Sequence, residues 1–237
     1  MYSFNSRVRY SEVNSEQEMT LSAVLDYLQD CCIFHAEELK VGVDYLKEQK
    51  QAWVLSSWEV IVNRYPKLAE KIFINTWPYD FRNFYGYRNF TITDEHGEIL
   101  VAANSVWVFM DIEKMRPVKI TQHFVDVYHD EMNAMLEYAW SERKIKLAGE
   151  AERKEPVAVQ KDYIDTNHHM NNSKYVMIAE NYLPEQFEIA GVRVEYKKAA
   201  VFGDILYPEV ATDDKHFIVS LTDEKGTPYA VVSFMEK

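Results

Sequence analysis

Two stretches of this chain copy one another. TDEHGEILVAANS at 93–105 and TDEKGTPYAVVS at 222–233 both open Thr-Asp-Glu and pass through His or Lys to Gly. Ala and Ser follow at nearly matching offsets, and Thr93 and Thr222 lie 129 residues apart. A sequence that repeats folds into something built twice, because each copy obeys the same local physics. Both copies predict a β-hairpin, turning at Gly97 or Gly226. Apolar strands flank each turn: RNFTI and ILVAANSVWVFM around the first, HFIVSL and YAVVSF around the second.

The order of elements around the hairpins repeats as well. In the first half, Ser15-x-x-Glu18 reads as a capping box. A helix-period run follows through Leu21, Val24, Leu25, Leu28, Cys31 or Cys32, and His35. Strands are predicted near 52–64, 71–77, 83–93 and 98–111, where AWVLSSWEVIV is rich in Trp and β-branched residues. In the second half a polar cap at Asn171 or Asn172 opens a helix through Tyr175, Val176, Ile178, Ala179, Tyr182 and Leu183, and Pro184 stops it. Strands follow near 188–198, 204–213, 215–222 and 228–235. Between the halves a charged helical run is expected over about 127–147. Strands come in runs after a helix instead of alternating with helices. That order predicts an α+β fold with antiparallel sheets, not a parallel βαβ sheet.

The 237 residues suffice for a core without disulfide staples, and 47% of them are hydrophobic. A net charge of −12 argues against nucleic acid as a partner, since phosphates call for an excess of Lys and Arg. Cys31 and Cys32 are neighbours in a helical pattern, where side chains diverge. No bridge is expected between them, and two free thiols suit a reducing compartment. As small hydrophobes in an apolar helix they are poor candidates for nucleophiles. MYSFNSRVRYSEVN lacks the apolar core of a signal peptide, and no run reaches membrane-spanning length. These features predict a cytoplasmic protein with no membrane span.

DTNHHMNN at 165–172 fits neither hydrophobic period. It precedes the second helix, and the equivalent place in the first half, RVRYSEVNSEQEM, has no His. Metal binding is one reading, but His168 and His169 are adjacent and no HxxxH or CxxC spacing is present. Helix capping explains one or two of the polar residues. Catalysis is the third reading. Asp165, Asn167 and His169 alternate, so an extended loop would project a carboxylate, a carboxamide and an imidazole to one side. The helix start behind them would offer N–H donors at Asn171 and Asn172 to an oxyanion.

The longer stretch DTNHHMNNSKY resembles the D-x-N-x-H-[VM]-N-N-x-x-Y signature of acyl-acyl-carrier-protein thioesterases. DYIDTNHHMNNSKYVMIAE and VEYKKAAVFGDIL are similar to that family's second half, and ANSVWVFMDIEKMRPVKI to the end of its first. The resemblance covers nearly the whole chain. It implies a tandem (double) hot-dog fold, each half a long helix wrapped by a curved antiparallel sheet. It implies an N-terminal hot-dog at 1–125 for the acyl chain, a connection at 126–155, and a C-terminal hot-dog at 156–237 carrying the catalytic motif. The implied reaction is hydrolysis of a fatty acyl thioester on acyl carrier protein, in fatty acid biosynthesis. Hydrolysis needs only water, so no metal or organic cofactor is implied, and a homodimer is plausible for such sheets. Two other readings remain open: an acyl-CoA thioesterase, and a non-catalytic acyl-binding hot-dog module.

Matched by position, Asp165, Asn167 and His169 take the catalytic places, while His168 falls at a variable one. Asp165 would activate water or attack the thioester, Asn167 and His169 would bind and polarise, and N–H groups at Asn171 and Asn172 would hold the oxyanion. Near a helix N-terminus the protonated imidazole is disfavoured, so His169 is expected to act neutral. The chain departs from the family at Ala199-Ala200, where plant members carry Glu-Cys; Glu195, four residues earlier, reads as an ordinary strand residue. Walls for the acyl tail are sought in Leu25, Leu28, Cys32, Trp53, Trp58, Trp107 and Tyr175. Local cations for docking an acidic carrier are Lys174, Lys197 and Lys198, with Arg143, Lys144 and Lys146 as a second cluster.

Overall fold

The computed structural model describes residues 1–141, 144–146, 150–212 and 216–237. Predicted boundaries at 147, 213 and 215, and Arg143 of the second basic cluster, lie outside the described residues. The chain divides into two compact units, Met1–Trp58 with Val62–Trp140, and Glu59–Ile61 with Ser141–Lys237. Each unit is an antiparallel sheet with a helix on one face, the hot-dog arrangement of an α+β fold.

In the first unit β1 (Tyr2–Arg7) precedes α1 (Leu21–Glu38), the short α2 (Val43–Glu48), β2 (Gln51–Val62), β3 (Lys71–Arg82), β4 (Tyr85–Thr93) and β5 (Ile99–Asp111). The two-residue β6 (Arg116–Pro117) and α3 (Gln122–Tyr128) complete it. The strand order is β1-β3-β4-β5-β2. The helix is α1 because its apolar residues recur on one face: Leu21, Val24, Leu25, Leu28, Cys31 and His35 are all buried. It packs on β1 and β3, and the Cys31 thiol donates to the Ile74 carbonyl at 3.5 Å. At its last turn His35 is buried, with Nδ1 2.9 Å from Nη1 of buried Arg88. A guanidinium only donates, so Nδ1 accepts and the imidazole proton sits on Nε2.

The second unit holds β7 (Glu152–Arg153), β8 (Val157–Ala158), α4 (Asn172–Glu180), β9 (Ile189–Tyr196), β10 (Ile205–Thr212), β11 (His216–Thr222) and β12 (Pro228–Glu236). Its order is β9-β12-β11-β10-β7, with β8 also on β10. The helix is shorter here, 9 residues against 18 in α1, and packs on β11 and β12.

The hairpin repeat is realised bond for bond. Asp94 Oδ1 accepts the His96 and Glu98 N–H groups, each at 2.9 Å. Asp223 Oδ1 accepts those of Lys225 and Thr227 at 3.0 and 2.9 Å. Gly97 and Gly226 sit at φ +83° and +81°, which only glycine adopts without strain. The backbone donors hold both carboxyls below the usual carboxylate range.

The expected helix over 127–147 is a correction. Helix α3 and a 3-10 turn end at Glu131, and the described residues beyond it, 132–141 and 144–146, form an irregular strap. In the first unit, buried Asn89 accepts the Leu136 N–H at 2.8 Å and Trp77 donates its indole N–H to the Ala134 carbonyl at 2.8 Å. In the second, Glu59 takes the Ser141 N–H on both oxygens, and Glu195 accepts the Ile145 N–H. Ile145 packs on Ile218 and Val231. With α4 on one face and this strap on the other, β11 and β12 are buried almost throughout, hence their nearly unbroken apolar sequence.

Candidate active site

The polar stretch is not extended, so the expected alternation of Asp165, Asn167 and His169 along a flat strand is corrected. A 3-10 turn at Lys161–Tyr163 leads into a tight loop closed by a bridge between Ile164 and Met170. Asp165 closes it twice over. Its backbone N–H donates to the His169 carbonyl at 2.8 Å and its carbonyl accepts from His168 N–H at 3.1 Å. Its Oδ1 accepts the N–H of Asn167 at 2.8 Å and of His169 at 3.2 Å. The aspartate is thus a turn-former first, a role its short side chain suits. His168 pays at φ +62°, and its side chain, like those of Asn167 and His169, belongs to an exposed residue; Asp165 is half-buried.

Asn171 is the helix cap. Its Oδ1 accepts Ser173 N–H at 3.0 Å and the Ser173 hydroxyl at 3.2 Å, and its own N–H donates to the Tyr163 carbonyl at 2.8 Å. That N–H is committed to the backbone, so the oxyanion assignment to Asn171 is withdrawn. Asn172 opens α4, and its carbonyl accepts the Tyr196 hydroxyl at 2.9 Å.

The wall beside the loop is the segment 197–204. Met170 N–H donates to the Ala200 carbonyl at 2.8 Å, and Ala200 N–H donates to the Tyr175 hydroxyl at 2.8 Å. Ala200 is fully buried, while Ala199 is exposed. Tyr175 is itself buried and packs edge-on against Tyr196. Burial, then the nearby Tyr229, Asp204 and Asp165, push its hydroxyl up to about 12. Glu195 lies in the strap contact described above and pairs with Lys197.

The first unit carries the same frame with different side chains. A 3-10 turn at Tyr10–Glu12 precedes a loop closed by a Val13–Met19 bridge. Asn14 Oδ1 accepts the N–H groups of Glu16 and Glu18, each at 3.0 Å, and Gln17 has φ +62°. Thr20 caps α1 through Ala23 N–H. Ser15-x-x-Glu18 therefore lies in this loop and not at the helix start, which corrects the capping-box reading. Asn14, Glu16 and Glu18 stand where Asp165, Asn167 and His169 stand in the second unit.

The remaining candidates separate by place. Leu25 and Leu28 are buried in the α1 core; Cys32, half-buried, donates its thiol to the Gln29 carbonyl at 3.1 Å. Burial pushes both thiols up, Cys32 to about 11, which disfavours a thiolate at either. Trp58 and Trp107 pack together and Trp58 lies on Phe90. Trp53 belongs elsewhere, in an aromatic cluster with Phe109, Phe81 and Phe124. Lys174 is half-buried, Lys197 is paired with Glu195, and Lys198 lies 3.7 Å from Asp223 and over the Tyr229 ring. Among the described residues no three His, Cys, Asp or Glu side chains are grouped to hold a metal ion, and no helix is long and apolar enough to cross a membrane.

Residues 1–128 match the family model of the acyl-ACP thioesterase N-terminal domain, and residues 146–231 that of the C-terminal domain. The chain is 25% identical over 222 residues to an acyl-[acyl-carrier-protein] hydrolase, FATB1, of Cuphea viscosissima, covering 87% of this chain and 53% of that protein. It is 26% identical over 234 residues to a palmitoyl-acyl carrier protein thioesterase of Cuphea hookeriana, covering 88% of this chain and 54% of that one. The chain thus spans about half the length of the curated relatives it matches. In fold it is similar to the crystal structure of an acyl-ACP thioesterase from Bacteroides thetaiotaomicron, with TM-score 0.89, 19% identity, and 99% and 97% of the two chains covered. A 12:0-ACP thioesterase from Umbellularia californica superposes with TM-score 0.85 at 20% identity, covering 100% and 96%.

Proposed function

Because the chain belongs to the acyl-ACP thioesterase family, we propose that it hydrolyses the thioester joining a fatty acyl chain to acyl carrier protein. The products are free fatty acid and holo-carrier protein. One observation carries this reading: two equivalent loops share a frame, and only the second bears Asp, Asn and His together, at Asp165, Asn167 and His169. That difference, with Asn14, Glu16 and Glu18 at the matching places of the first loop, supports a reacting centre in the second unit.

In this mechanism Asp165 keeps Oδ1 on the loop N–H groups and presents Oδ2 to the attacking water, or to the thioester carbon itself. Asn167 and His169 bind and polarise the thioester. The Asn172 N–H at the start of α4 faces the developing oxyanion, where a preorganised donor stabilises the transition state more than the ground state. The tail is bound in the N-terminal hot-dog, residues 1–125, with Leu25, Leu28, Trp58 and Trp107 as its candidate walls; 126–155 connects, and 156–237 carries the reaction. Lys174, Lys197 and Lys198 offer the acidic carrier protein its local cations. The protein acts in fatty acid biosynthesis, in the cytoplasm and as a homodimer.

Thiol release from matched C8 to C18 acyl-carrier-protein and acyl-CoA panels tests this, with wild type and His169→Ala side by side. Turnover on the carrier panel, reduced at least about 100-fold in His169→Ala, is the expected result. Faster turnover on CoA would replace the substrate. Acyl binding without thiol release on either panel would replace the enzyme by a binding module.

A further inference from the structure

The frame shared by the two units extends past their loops, and in the second unit it stops one bond short. In the first unit the loop is zipped to the turn that follows β2. Met19 N–H donates to the Pro66 carbonyl at 2.8 Å and Leu68 N–H to the Gln17 carbonyl at 2.9 Å, which pairs Glu18 with Lys67 as an antiparallel bridge. In the second unit Met170 N–H donates to the Ala200 carbonyl at 2.8 Å in the same way. Both turns hang from matching backbone. Val8 N–H reaches the Glu70 carbonyl at 3.0 Å and Ala69 N–H the Val8 carbonyl at 3.0 Å, as Val159 N–H reaches the Asp204 carbonyl at 2.9 Å and Gly203 N–H the Val159 carbonyl at 3.3 Å. Phe202 is thus the counterpart of Leu68. His168 is the counterpart of Gln17, and both have φ +62°. Yet among the described residues no hydrogen bond joins Phe202 N–H to the His168 carbonyl, and no bridge pairs His169 with Val201.

Exposure follows the bonding. Glu18 and Leu68 are half-buried, whereas His169 is exposed and Phe202 is 64% exposed. The turn itself is fixed. Asp204 N–H donates to the Val201 carbonyl at 3.1 Å, Asp204 Oδ2 accepts Val201 N–H at 3.0 Å, and Gly203 N–H is bonded to Val159. Of the turn's four N–H groups, that of Phe202 alone has no partner among the described residues. On the other side, the Asp165 carbonyl accepts His168 N–H at 3.1 Å, so the His168 carbonyl belongs to the loop of the proposed base. A donor and an acceptor therefore flank an open rung, each two residues from the closed rung at Met170 and Ala200, and His169 lies between the two rungs.

We propose that this rung is the subsite for the first amide of the substrate's thiol half. Carrier protein and coenzyme A both present an acyl thioester on a pantetheine arm, whose nearest amide nitrogen is two carbons from the sulfur. An amide brings one acceptor and one donor, as a strand residue does, and can complete an antiparallel rung. Phe202 N–H donates to the amide carbonyl, and the His168 carbonyl accepts the amide N–H. Held there, the arm delivers its thioester, a few bonds away, to Asp165 and His169. The proposal rests on the thioesterase reading above and makes the thiol half, as well as the tail, a determinant of specificity.

The test uses the full chain and three thioesters of one acyl chain: on carrier protein, on N-acetylcysteamine, which keeps the amide, and on pentanethiol, which replaces it with methylenes. In wild type, kcat/KM for the N-acetylcysteamine thioester should exceed that for the pentanethiol one about 10-fold or more. Phe202→Pro removes the N–H. Gly203 at φ +88°, after a Phe202 without positive φ, makes this a type II turn, whose second position suits proline, so the melting temperature should stay near wild type. The variant should lower the amide-to-alkyl ratio about 3- to 10-fold, and kcat/KM on the carrier thioester by a similar factor. Phe202→Ala keeps the N–H and should keep the ratio. Equal kcat/KM on the two small thioesters in wild type overturns the proposal, and this comparison needs no variant to fold. An unchanged ratio in Phe202→Pro overturns it too, as does an equal loss in Phe202→Ala, which would move the effect to the ring. Thiol release from the carrier thioester would then leave the function standing. No thiol release from any of the three overturns both.

Discussion

The turn-forming role of Asp165 and its proposed role as base can be measured apart. The first unit supplies the control, because Asn14 holds the same turn with an amide oxygen. Asp165→Asn is therefore expected to keep stability within about 0.5 kcal/mol of wild type, while Asp165→Ala loses the two N–H bonds and about 1–2 kcal/mol. Both should lose most turnover. A urea titration and a thiol-release rate on each variant check this, and near-normal turnover in Asp165→Asn would remove the base assignment. The residue types of the candidate site can be read in DTNHHMNN, but their geometry cannot. Residues two apart suggested a strand face, whereas an aspartate with N–H groups two and four residues ahead makes a turn, and nothing in the spacing separates these outcomes.

At the scale of elements, strands declared themselves best. The eight predicted strands all appear, because Val, Ile and aromatic runs bounded by turns read the same in sequence and space. Strand β1 was missed since YSFNSR alternates without an apolar run, and it lies at the end of the strand order, where one neighbour suffices. The strap was mistaken for a helix because its charges and apolar residues imitate a period, whereas its bonds go to Asn89, Glu59 and Glu195, far away in sequence. Two element-level predictions follow from contacts. Gly191 of β9 lies where an added Cβ would be 2.8 Å from the Val60 carbonyl oxygen. Gly191→Ala should cost about 1–3 kcal/mol in a denaturant titration, as overpacking against rigid backbone does. At the end of α1, burial and then the Arg88 charge lower the His35 pKa to about 3. Unfolded, the imidazole titrates near 6.5. Stability is full above that pH and is lost as pH falls toward 3, because only the unfolded chain takes up the proton. Urea midpoints from pH 7.5 to pH 4 should decline, and His35→Gln should flatten the decline; an equally steep one would clear His35.

For the whole molecule, charge and repetition set the expectations. At −12 the chain offers an acidic carrier protein no long-range attraction, and Lys197 and Lys198 already lie beside Glu195 and Asp223. Raising salt from low to moderate concentration should therefore lower kcat/KM for carrier substrates by only about 2- to 3-fold, with small thioesters unaffected. A tenfold loss would point to a stronger basic surface elsewhere. The duplicated frame has one more consequence. Where two identical subunits pair, every substitution is made twice, and a change that helps one copy can spoil the other. Two copies on one chain escape that constraint. Asn14, Glu16 and Glu18 can stand in one loop while Asp165, Asn167 and His169 stand in the other, so each half is free to specialise without asking its twin.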